Sequence, residues 1–100
     1  MKQKLVAAVI GAAAVTLAPG AAHAGEAGFL ARISVDYGVD ILDEAAALNF
    51  GHSICSELRK GTPREVAADA IYWKFLDATR DQAHGIAYAA QRELCPETAQ

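Results

Sequence analysis

The 100-residue chain is poor in the features that most directly announce a chemistry. It has two cysteines, three histidines, three prolines and one tryptophan. No CxxC, HxxxH or HExxH spacing is present, so the recurrent zinc and metalloprotease patterns are missing. No glycine-rich phosphate loop and no GxSxG nucleophile turn occur either. Basic residues do not cluster into a stripe, which argues against nucleic-acid binding. The longest apolar run, from Leu5 to Ala18, stops at Pro19-Gly20. It falls short of the roughly 20 residues that a membrane-spanning helix requires. Strand-forming clusters are confined to Ile33–Val35 and Val39–Leu42, both short, and the rest of the chain contains no internal repeat.

What is present begins with an export signal. Lys2 and Lys4 supply a basic start, Leu5–Ala18 an apolar core, and Ala22-His23-Ala24 the small residues of a peptidase site. Residues 1–24 are therefore expected to be a signal peptide cleaved between Ala24 and Gly25, with residues 25–100 forming a single domain. No cysteine follows the cleavage site for lipid attachment, and no Arg-Arg pair marks the twin-arginine route. Removing residues 1–24, with Lys2 and Lys4, leaves 76 residues carrying seven basic and twelve acidic side chains. An acidic domain of this balance is repelled by phosphate backbones and anionic membrane surfaces. It is also too small to be comfortably stable on its core alone. Cys55 and Cys95, an even number in an exported chain, read as one disulfide. A reactive thiol near His52 is the alternative.

Helical signals dominate the domain. A first helix is expected over about Glu26–Val35, ended by Asp36-Tyr37-Gly38. A second, capped by Asp40 or Asp43, runs to about Lys60 with Ala47, Leu48, Gly51, Ile54, Cys55 and Leu58 on one face. Gly51 in mid-helix points to the close approach of another element. Thr62-Pro63-Arg64-Glu65 has the form of a capping box with proline at N1. The helix it opens is apolar nearly all round: Val66, Ala67, Ala70, Ile71, Tyr72, Trp73, Phe75 and Leu76. Such a helix is either central to its fold or faces a partner. Thr79-Arg80-Asp81-Gln82 repeats the box, and Ala83, Ile86, Ala87, Ala90 and Leu94 continue a helix to Cys95-Pro96. Whether the third and fourth helices are separate is open at this level, since Asp77-Ala78-Thr79 contains neither Gly nor Pro. The expected architecture is all-α: a bundle of about four helices stapled by one disulfide.

The pieces Phe29-Leu30, Gly38-Val39-Asp40, Gly51-His52-Ser53-Ile54-Cys55, Leu58-Arg59-Lys60-Gly61-Thr62 and Leu94-Cys95-Pro96 occur in an order that resembles the secreted mycobacterial domain of unknown function 732. The resemblance covers Phe29 to Pro96. It implies an exported helical domain with Cys55 paired to Cys95, and it implies no reaction. Tyr72-Trp73-Lys74-Phe75 is bulkier than the small residues of the family at that place, which marks the third helix as a surface particular to this chain.

Function is accordingly expected to be binding rather than catalysis, in the cell envelope or extracellular space. No catalytic residue, metal ligand or cofactor is assigned. Tyr72, Trp73 and Phe75 are the candidate interaction surface, with a protein or a small apolar ligand as partner; packing into the core is the competing account of these aromatics. A lipid or haem carrier is the alternative function, requiring a cavity lined by Leu48, Ile71 and Ile86 with His52 or His84 at its mouth. Intact mass of the exported protein tests the processing. The expected chain begins at Gly25 and gains two hydrogens on reduction; a different start or no mass change would contradict it.

Overall fold

The computed structural model describes residues 24–75 and 77–99, so the expected signal segment up to residue 23, and Leu76, lie outside the described residues. The first described residues, Ala24 and Gly25, are already helical. Helix α1 spans 24–31 and continues as a wider π-helical segment, Arg32–Asp36. Helices α2 (Glu44–Arg59), α3 (Arg64–Lys74) and α4 (Arg80–Ala89) follow. The chain closes with a second π-helical segment, Ala90–Leu94, and a 3-10 turn, Pro96–Ala99. No strand occurs among the described residues, and none of their helices is long and apolar enough to cross a membrane.

The helix boundaries follow local chemistry. Gly38 takes φ of +66° and turns the chain out of α1. Of the two acidic cap candidates, Asp43 is the one used: its carboxylate accepts the Ala46 N–H at 3.1 Å. Helix α2 ends in a Schellman arrangement around Gly61, at φ +101°, with the Gly61 N–H donating to Leu58 and the Thr62 N–H to Glu57. Thr79 and Gln82 form the expected capping box of α4.

One expectation needs correction, and two further points take a definite form. Thr62 does not cap α3: Pro63, which has no side-chain acceptor, occupies that position, and the Thr62 hydroxyl donates back to Glu57 of α2 at 3.3 Å. Helix α3 stops at Lys74, with Phe75 extended at φ −113° and ψ 101°, so α3 and α4 are separate. The apolar residues of α3 divide between core and solvent. Ala67, Ala68 and Ile71 face the core, while Val66 and Trp73 stand in solvent, Trp73 at 71% exposure.

The core is built largely from small residues. Phe29 and Ile33 of the first helix share this core with Ile54, Cys55 and Leu58 of α2, Phe29 lying against Gly51 of α2 and the segment around Ile33 packing on α4. Ala67, Ala68 and Ile71 of α3 lie against Ala83, Ile86, Ala87 and Ala90. Cys55 and Cys95 are bonded, with Cα atoms 5.9 Å apart and no solvent exposure, tying α2 to the end of the fourth helix. The closing turn is held to α2 by Arg59, whose Nε donates to Glu97 at 2.7 Å and keeps that carboxyl below its ordinary range.

Gly51 meets the close approach its sequence position implied. A Cβ there would lie 2.8 Å from Leu94 Cδ1 and 2.9 Å from the Phe29 ring. Gly51→Ala gains about 1 kcal/mol of helix propensity but forces a packed ring to move, at a cost of about 1–3 kcal/mol. Urea unfolding is expected to show a net loss of stability; a gain would mean that Phe29 is not fixed against α2.

Candidate functional site

One end of the bundle carries a cleft of about 650 Å³. Three separate parts of the chain wall it: the connection from Gly38 to Asp43, the first turns of α2, and Phe75, Asp77 and Ala78 ahead of α4. Its apolar surface includes Phe29, Ile33 and Ile86 from the core, and Val39, Ile41 and Leu42 from the connection. Asp40, Asp43 and Asp77 are its charged lining residues, all carboxylates.

The wall formed by the connection is anchored rather than loose. Gln82 accepts the Thr79 N–H at 3.1 Å through Oε1, completing the α4 cap. Its amide nitrogen donates to the carbonyls of Tyr37 and Gly38, at 3.1 and 3.4 Å. One side chain therefore joins the start of α4 to the end of the first helix. The Val39 N–H donates to Ile33 at 2.9 Å, and the Tyr37 ring sits directly over Gly85, where no Cβ could be accommodated. Across the cleft, Phe75 meets Phe50 edge-on at 5.1 Å between ring centroids. Such pairs contribute about 0.5–1.5 kcal/mol beyond area burial. Leu42, by contrast, is 96% exposed.

The three aromatics singled out in the sequence have different surroundings. Phe75 lines the cleft and is 42% exposed. Trp73 stands outside the cleft lining, with its ring 5.5 Å from that of Tyr72. Tyr72 is half-buried against the core and covered by the Arg80 guanidinium at 4.4 Å.

The cavity expected for a carrier is not the one observed. Of Leu48, Ile71 and Ile86, only Ile86 reaches the cleft. Ile71 is buried in the core and Leu48 packs at its margin. His52 pairs with Glu26 at 2.9 Å, and His84 lies 3.6 Å from Asp69. Neither histidine lines the cleft, so neither stands at its mouth. Among the described residues, no group of three His, Cys, Asp or Glu side chains is placed to hold a metal ion. The sequence reading missed the cleft itself, because its walls come from stretches without a shared motif. The exposed apolar Leu42 between Asp40 and Asp43 was the available signal.

Fold and cleft together define a small all-helical domain, stapled by a buried disulfide and open at one end. The chain belongs to the family described as Protein of unknown function (DUF732), whose model matches residues 24–97. No curated protein and no solved structure matches it. The residues that carry the family resemblance largely serve the scaffold. Gly38 and Gly61 adopt positive φ, Gly51 admits Phe29, and Cys55 and Cys95 form the staple.

Proposed function

We propose that the chain is an exported binding module of the cell envelope or extracellular space, and not an enzyme. Its cleft takes an apolar peptide segment flanked by cationic residues on a protein partner. The mycobacterial origin implied by the resemblance belongs to the same reading. The observation that carries the proposal is the pairing of an apolar lining with a carboxylate rim: Leu42 and Phe75 offer apolar surface, and Asp40, Asp43 and Asp77 the charge. Exposed apolar surface bounded by polar residues is characteristic of interaction sites. Carboxylates at the rim set the sign of the partner and its encounter rate more than its affinity. Trp73 extends the exposed apolar surface beyond the cleft.

A small neutral apolar ligand is the second reading, favoured by the cleft volume of about 650 Å³, within the roughly 300–1,000 Å³ of small-molecule sites. Haem receives no such support, since both histidines of the domain lie outside the lining.

Calorimetric titration of the oxidised protein separates these readings. The probes are a leucine-rich peptide with lysine flanks, the same peptide with glutamate flanks, and N-phenyl-1-naphthylamine. The lysine-flanked peptide is expected to bind, at least tenfold more tightly than its acidic counterpart at low salt. Leu42→Ser and Phe75→Ser should each weaken it several-fold. Equal binding of both peptides, binding of neither, or indifference to the two substitutions would overturn the peptide reading. Saturable uptake of the dye alone would instead establish the small-ligand reading.

A further inference from the structure

A second cleft, of about 560 Å³, lies where the two π-helical segments come together. Its side chains have the opposite charge character from the first. Arg32 comes from the π-helical end of the first helix, Arg64 from the start of α3, Tyr88 from α4, and Gln91, Arg92 and Glu93 from the second π-helical segment. Among the described residues, three guanidiniums and one carboxylate therefore share this cleft, on a chain of net charge −3.

The single carboxylate is already engaged. Arg32 donates to Glu93 Oε2 through Nε at 3.0 Å and through Nη2 at 2.8 Å. Arg64 and Arg92 form no ion pair among the described residues. The local balance is thus two positive charges without a partner there.

Arg64 is also held in place. Its Nη1 donates to Gln91 Oε1 at 2.8 Å, and its guanidinium lies 5.3 Å from the centroid of the Tyr88 ring. Gln91 is 8% exposed, and its amide nitrogen donates to the Thr98 carbonyl and hydroxyl, both at 3.3 Å. Those bonds orient the Gln91 oxygen toward Arg64. Gln91 is thus a buried polar residue on a helix whose apolar period, read at 3.6 residues per turn, does not include it. The π-helical widening at 90–94, closed by the Cys95 N–H to the Ala90 carbonyl at 3.2 Å, shifts the helical register there. Insertions of this kind recur where side chains are re-aimed at functional sites.

A planar guanidinium fixed by a buried amide and an aromatic face retains free N–H groups in a defined direction. That geometry suits the paired oxygens of a carboxylate or phosphate. We propose that this cleft binds a small oxyanion, a carboxylate or phosphate group, between Arg64 and Arg92. The site is independent of the apolar cleft: the two have no lining residue in common.

The test follows the arginine side-chain N–H resonances of the oxidised, isotopically labelled full chain during titration with sodium phosphate or sodium succinate. Sodium chloride at matched ionic strength is the reference. One or both oxyanions are expected to give saturable shifts at Arg64 and Arg92 that chloride does not reproduce. The anion that saturates distinguishes phosphate from carboxylate recognition. Arg64→Gln and Arg92→Gln should each weaken binding at least tenfold. Arg80→Gln, at a residue that pairs with Asp69 at 3.3 Å and does not line this cleft, and Leu42→Ser, in the other cleft, should leave it unchanged. If Arg64→Gln does not fold, Arg92→Gln decides the matter, since Arg92 is exposed and makes no ion pair among the described residues. Shifts matched by chloride, no saturation with either oxyanion, or undiminished affinity in the folded arginine variants would overturn the proposal.

Discussion

The bond between Cys55 and Cys95 closes a stretch of 40 residues and lies wholly inside the domain. A core so rich in alanine buries little apolar area per residue, and the domain has few large side chains with which to compensate. Phe29 and the two cysteines are the largest fully buried side chains among the described residues. Constraining the unfolded chain over a loop of this length contributes about 4 kcal/mol in the chain-entropy account. That is comparable to the whole stability of a marginal small domain. The export proposed above would supply the oxidising conditions under which such a bond persists, which links that proposal to the fold.

Both candidate sites depend on what the staple holds. It joins α2 to the end of the fourth helix, and the polypeptide between the cysteines contains α3, α4 and the second π-helical segment. The apolar cleft needs Phe50 of α2 and Phe75 after α3 at a fixed separation. The arginine cleft needs Arg64 at the start of α3 beside Gln91, four residues before Cys95. One site presents carboxylates around apolar surface and the other presents guanidiniums. Two patches of opposite sign on one small scaffold suit a module that engages more than one chemical group, with rigid helices setting the spacing.

Much of the scaffold was legible in the residues. The period of Ala47, Gly51, Ile54, Cys55 and Leu58 defines the buried face of α2 because apolar spacing near 3.6 leaves little other choice. Gly38, Asp43 and the Thr79–Gln82 box act locally, so their roles survive into the fold unchanged. Thr62 failed as a cap because the helix begins one residue later, with Pro63 at the cap position and the Thr62 hydroxyl turned to Glu57 of the preceding helix. The π-helical segments left no trace in a pattern read at 3.6 residues per turn, and the burial of Gln91 went unseen with them. The clefts were least legible of all. Each is assembled from stretches far apart in sequence, and no residue in them announces its neighbours.

The dependence of the whole structure on the staple is tested most directly by unfolding the oxidised and reduced forms of the same chain in urea. The account predicts that reduction removes about 4 kcal/mol, enough to abolish the cooperative transition or shift its midpoint to low denaturant, with Cys55→Ala/Cys95→Ala behaving like the reduced chain. Equal midpoints and equal slopes for the oxidised and reduced forms would contradict it.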